Sequence, residues 1–264
     1  MDKIKTIISK EWAEVFKNRI VLFTVLFLPL IMTALPLVTI GITGSVDEAT
    51  LAQEISPSDL EFFGDTCIGL NSSECTIVYT ASLFMMLFMI LPVAIPVTIA
   101  AYSIVGEKTS RSLEPLLATP ITTTELLAGK MAAAVLPAVL ATWTGFFIYI
   151  VGARFLVNDT IFDRLLDPMW LLAVFVVGPL LALLSVSIAI MVSSRVNDPR
   201  IAEQLSALVI LPLIMLVFGQ SMGWIILNSR LIMMVGAIVA VADGVLVWLS
   251  VQVFERERIL TRWK

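Results

Sequence analysis

Six long apolar runs, separated by polar breaks, organise the chain. They fall at about Ile20–Ile42, Ile77–Val105, Met131–Val151, Met169–Val192, Leu205–Leu227 and Leu231–Phe254. Each approaches or exceeds the ~20 residues with which a helix crosses a bilayer. The pattern predicts an all-α, polytopic membrane protein with six transmembrane helices in one domain, residues 1–264. Before the first run, Ile4, Ile7, Ile8, Trp12, Val15 and Phe16 recur at helical spacing, with Lys3, Lys5, Lys10, Glu14 and Lys17 largely off that stripe. This predicts an amphipathic helix within residues 1–19, lying in the membrane interface with Trp12 at headgroup level. Its alternative is a helix packed on the protein. A cleavable signal peptide would place a short apolar stretch after a brief basic one, so the first run reads as a retained span.

Composition agrees with this pattern. The 264 residues are 59% hydrophobic and 14% charged, against roughly a quarter charged in a soluble domain. There is no histidine, which removes His-assisted nucleophiles and the commonest metal ligand. No GxxxxGK[ST] loop is present, so the chain has no Walker-type nucleotide site of its own, and no metal site is expected. Intramembrane hydrolysis is disfavoured by the lack of HExxH, GxSxG or paired intramembrane carboxylates.

Basic residues orient the spans. With the N-terminus inside, the inner segments hold Lys3, Lys5, Lys10, Lys17, Arg19, Lys108, Arg111, Lys130, Arg195, Arg200, Arg256, Arg258, Arg262 and Lys264. The outer segments hold only Arg154, Arg164 and Arg230. Both termini are therefore expected in the cytoplasm. The extracytoplasmic loop 43–76 carries Asp47, Glu48, Glu54, Asp59, Glu61, Asp65 and Glu74 and no Lys or Arg. It reads as a soluble acidic cap in preference to a vestibule that concentrates cations. Cys67 and Cys75 both lie in this loop, on the oxidising side, where a disulfide between them would staple it.

Two polar features interrupt the apolar pattern. Asp243 falls near the middle of the sixth run; an acid at that depth faces the bundle or a cavity, as a cation or proton site in a conduit or as a side chain bonded to a neighbouring helix. Gln220 and Ser221 are its candidate partners, and Gly219 with Gly223 forms a GxxxG close-packing signal. The second feature is the polar stretch 106–130. Pro92 and Pro96 are expected to kink the second span. After it, residues 110–117 read as a short amphipathic helix that Pro120 ends. Thr122-x-x-Glu125 is a capping box that starts a new helix running into the third span. Asp198-Pro199 and Asp167-Pro168 are cap-plus-proline starts for spans five and four.

At these residues the chain resembles a known family. Gly106-Glu107-Lys108, Ser112-Leu113-Glu114, Leu117-Ala118-Thr119-Pro120 and Glu125-Leu126-Leu127-Ala128-Gly129-Lys130 resemble the membrane permease subunit of type-2 ATP-binding-cassette exporters, the branch with sodium- and drug-efflux permeases. Ser193–Arg195 through Ala202–Gln204, and Phe254–Glu257 with Leu260–Arg262, agree more weakly. The resemblance implies an export permease that pairs with a second copy or a paralogue. A cytoplasmic ATPase subunit would supply ATP and Mg²⁺, with no cofactor in this chain. The 106–130 segment would be the coupling loop, with Glu107, Arg111 and Glu114 as ATPase contacts; Pro115 departs from the commoner pattern. A prokaryotic plasma membrane is the expected setting, with the lipid bilayer and no nucleic acid among the partners. A secondary cation carrier or channel using Asp243 is the alternative.

Overall fold

The computed structural model describes residues 2–43, 69–109, 121–225 and 227–253, and these contain helices and connecting turns with no strand. Helix α1 is Asp2–Val15 and α2 Arg19–Thr43. Helices α3, Ser72–Phe88, and α4, Leu91–Thr109, follow. Helix α5 is Thr123–Leu156, with α6, Asp159–Leu165, and α7, Pro168–Leu172, after it. A π-helical turn at Ala173–Val177 leads into α8, Gly178–Arg195. Helix α9, Pro199–Ser206, joins α10, Leu211–Ser221, through a 3₁₀ turn, and α11 is Ser229–Val253. Six of the resulting helical stretches are long and apolar enough to span a membrane.

The span boundaries move for local reasons. Span two extends to Ser73–Glu107 and breaks between α3 and α4, because Pro92 has no N–H to offer the carbonyl of Phe88 four residues back. Span four extends to Asp159–Arg195. Its π turn precedes Pro179, and the Gly178 N–H reaches back to the Ala173 carbonyl. The Val174 carbonyl thereby lacks its usual helical donor and accepts the indole N–H of Trp143 at 3.3 Å. Span five is Pro199–Ser221 rather than Leu205–Leu227. Asp198 caps its start by accepting from the Arg200 N–H at 2.8 Å. At the other end Gly223, at φ 70, takes the left-handed cap position, and Trp224 and Ile225 donate to the Gly219 carbonyl. Ile225 folds back so closely that a Cβ on Gly219 would lie 2.6 Å from its Cδ1. The glycine pair thus shapes a helix end, not a helix–helix crossing.

Span two is the centre of the bundle. Leu91, Val93, Ile95 and Val97 of α4 are buried all round, as expected of a helix covered on every side. Helices α5, α8 and α9 pack around α4, and α11 packs on α8. Spans one, five and six keep most of their apolar surface outward, including Phe23, Leu26, Leu208, Met215, Ile238 and Trp248.

Candidate functional site: a charged clasp at the foot of the polar loop

Helix α1 lies across the feet of α4 and α5, the two helices that flank the polar loop. Its apolar stripe buries Ile7 and Val15 against them. Gly129 makes the approach possible: a Cβ there would lie 2.7 Å from Ile7 Cγ2. The Trp12 indole donates to the Ala133 carbonyl at 3.0 Å. Pro137 removes the N–H that would otherwise serve that carbonyl, so the tryptophan satisfies an orphaned acceptor. Trp12 had been expected to face headgroups; its N–H is instead used by the protein.

Between these contacts sits a buried charge cluster. Lys130 of α5 places Nζ 2.7 Å from Glu11 Oε1 and 2.7 Å from Glu107 Oε2, and all three side chains are 3% exposed. Its ammonium also donates to Ser103 Oγ at 3.0 Å, and Ser103 in turn donates to Glu11 Oε2. Lys10, at the rim, pairs with Glu107 Oε1 and lies 3.8 Å from Glu11. Two carboxylates and two ammonium groups leave the cluster formally neutral, which is what makes its burial tolerable. Burial pushes the Glu11 carboxyl up, but the charge and hydrogen bond of Lys130 and the Ser103 hydroxyl outweigh it and hold the group below its ordinary value. For Lys10, burial pulls down, and the hydrogen bond and charge of Glu107 more than restore it, leaving it raised.

Local signals around the clasp take the form their sequence implies. Thr122 and Glu125 make the reciprocal capping box, at 2.9 and 3.2 Å, and Lys3 reaches Glu125 at 3.7 Å, tying the start of α1 to the start of α5. A second tie lies deeper: Thr98 of α4 donates to Glu203 of α9 at 2.6 Å.

The sequence-derived site residues divide. Glu107, expected to contact a partner, is turned inward at 3% exposure with an oxygen beside each of two lysines. Arg111, Glu114 and Cys67 lie outside the described residues. Cys75 is in disulfide form. Asp243 is 4% exposed and lies on the buried stripe of α11 with Ile232, Val239 and Ser250, facing α8. That stripe is bracketed by the contact of Gly236 with Val177 and by the hydrogen bond from Ser250 to the Ser187 carbonyl. Neither Asp243 oxygen has a hydrogen-bond partner among the described residues. Gln220 and Ser221 do not serve it: neither donates to an Asp243 oxygen, and the Ser221 hydroxyl donates to the Phe218 carbonyl instead. Glu11 is the functional residue that sequence reasoning passed over.

Six spanning helices, with a helix clamped across the base of a polar loop between spans two and three, define a multi-pass membrane protein. A model of the ABC-2 family transporter proteins matches residues 5–251. The chain therefore belongs to the ABC-2 transporter family and is a membrane permease of an ABC transporter. No curated protein matches the chain.

Proposed function

We propose that this permease is the membrane half of an exporter, driven by a separate ATPase that grips the loop between Gly106 and Lys130 from the cytoplasm. The observation that carries this reading is the clasp. Glu107 ends the helix entering the loop, Lys130 lies in the first turns of the helix leaving it, and the two are joined at 2.7 Å with Glu11 of α1 as third member. A force applied to the loop reaches α4, α5 and α1 together. Arg111 and Glu114 are the proposed contacts with the ATPase, while Glu107 serves the clasp. ATP and Mg²⁺ bind in that partner, since this chain offers no phosphate loop. Two copies, or this chain and a paralogue, form the conduit, and the outward apolar surfaces of α2, α10 and α11 provide for such pairing. Cys67 and Cys75 close the extracytoplasmic cap. The setting is a prokaryotic plasma membrane with both termini inside, as the basic residues imply.

Co-expression with the cognate ATPase tests this. Intact chain should retain the ATPase through purification, and Glu114→Arg or deletion of residues 110–119 should release it. A second reading, a cation carrier using Asp243, draws on that residue's unpartnered burial. Substrate movement that persists unchanged after ATP depletion would establish the carrier and overturn the permease reading.

A further inference from the structure

An apolar groove of about 450 Å³ opens between α2 and α5 with α1 as its floor. Ala141 and Gly145, one turn apart on α5, are too small to fill it, and Trp12 and Phe16 close its α1 end. The two helices approach closely at Gly145, where a Cβ would lie 3.1 Å from Thr33 Oγ1. The groove's few hydroxyls are turned away: Thr33 donates to the Pro29 carbonyl at 2.6 Å and Thr144 to Leu140 at 2.7 Å. Along α5 it runs from Pro137 to Ile148, about 16 Å at ~1.5 Å per residue. One leaflet of a ~30 Å hydrocarbon core is about 15 Å deep. Its volume and apolar lining are those of a small-ligand site.

The chain is basic just past Phe16, where α1 leaves the groove. Lys17 follows Phe16 directly and Arg19 comes two residues later; both are exposed, and neither has an acidic partner within ion-pair distance among the described residues. Glu14, the nearest acid in sequence, is occupied by Lys10 at 3.6 Å. Charge at the interface and a leaflet-deep apolar slot above it match one molecule: the geometry points to a site for an anionic phospholipid of the leaflet that bears α1. One acyl chain lies in the slot and the headgroup sits at Lys17 and Arg19. The site is distinct from the loop–ATPase function proposed above and stands whether or not that reading holds. It gives α1 a second anchor, in lipid, beside its clasp to the protein.

Trp12 is the reporter. The full chain and its Trp12→Phe variant are reconstituted in phosphatidylcholine vesicles containing a minor fraction of phosphatidylglycerol, with bromine on the acyl chains of one lipid or the other. The difference between the two proteins isolates Trp12 quenching. Brominated phosphatidylglycerol should quench Trp12 at mole fractions roughly thirtyfold lower than brominated phosphatidylcholine, as two basic residues at a membrane surface imply. Ala141→Phe, which fills the slot, should abolish that component. The exposed double variant Lys17→Glu/Arg19→Glu should leave acyl quenching but erase the headgroup preference. Quenching of Trp12 in proportion to bulk composition, indifferent to Ala141→Phe, would reduce the groove to ordinary annular lipid and overturn the site. Absence of quenching by either lipid would show that a second copy covers the groove, and would equally overturn it.

Discussion

Replacing Lys130 with Met isolates the clasp. The ammonium serves Glu11 and Glu107 at 2.7 Å each, in a place where all three side chains are 3% exposed. Removing one member of a buried pair leaves an uncompensated charge and costs about 3–5 kcal/mol. Lys10 remains beside Glu107 and 3.8 Å from Glu11, which places the loss near the lower end, about 3 kcal/mol. For a chain of this size that corresponds to a fall of roughly 6–12 °C in thermal midpoint. Lys10→Ala provides the contrast, because Lys10 is 36% exposed and an ion pair at such a rim is worth about 1 kcal/mol or less. Thermal unfolding of the purified protein in one detergent, followed by tryptophan fluorescence, measures both. The triple variant Lys130→Met/Glu11→Gln/Glu107→Gln should recover much of the loss, since no net charge is then buried. A Lys130→Met midpoint no lower than that of Lys10→Ala would refute the claim that Lys130 is the centre of the cluster.

Three further outcomes follow from the same geometry. Glu11 has a lowered folded value, so its stabilisation is complete above the ordinary 4.5 and is lost as pH falls through that lowered value; acid titration of the thermal midpoint should show this loss, and Glu11→Gln should flatten it. Gly129→Ala brings a Cβ within 2.9 Å of the branched Cβ of Ile7 and should cost about 1–3 kcal/mol by overpacking, with partial rescue by Ile7→Ala and increased proteolysis of α1 as the second readout. Asp243→Val removes a carboxyl that has no hydrogen-bond partner and should raise stability by about 1–3 kcal/mol; a lower midpoint would show that the carboxyl holds a partner.

The readable parts of the fold were those encoded over one or two turns of chain. Apolar run length announced the spans, and Thr122 with Glu125, Asp198 with Pro199 and Asp167 with Pro168 announced helix starts, because each cap is completed within three residues. The clasp is different in kind. Its ion pairs join residues 97 and 119 positions apart, and no local pattern states which charge will be buried. One signal was present all the same. Glu11 stands four residues after Ile7 and four before Val15, in the middle of the apolar stripe of α1, whereas Lys3, Lys5 and Glu14 keep off it. An acid on a buried face requires a cation on the face it meets. Lys130 was visible only as an inner positive charge, and its partner depended on how α1 would cross α5. The same limit applies to Gly219, whose spacing from Gly223 suits a helix crossing as well as a helix end.

The placement of charge and proline divides the bundle into parts that hold and parts that bend. The foot of the bundle is fixed by polar contacts: Lys130 to Glu11 and Glu107, and Lys3 to Glu125. Apolar surfaces alone would allow α1 and the feet of α4 and α5 to slide, since such contacts lack direction; paired charges fix their register. The breaks all lie away from this foot. Span two is interrupted before Pro92 and span four has its π turn before Pro179, whereas α5 carries Pro137 within a continuous helix. From Leu91 to Thr109, α4 is a continuous helix of about 28 Å that carries Pro96 without a break. The arm of α5 from Thr123 to Pro137 is about 21 Å. An arm tied at its foot and broken at Pro92, as α4 is, turns a displacement at the foot into rotation about the break rather than compression along the helix. A purely rigid bundle would need neither the prolines at depth nor the net-neutral cluster at its base, and a purely flexible one would lose the displacement before it left the loop.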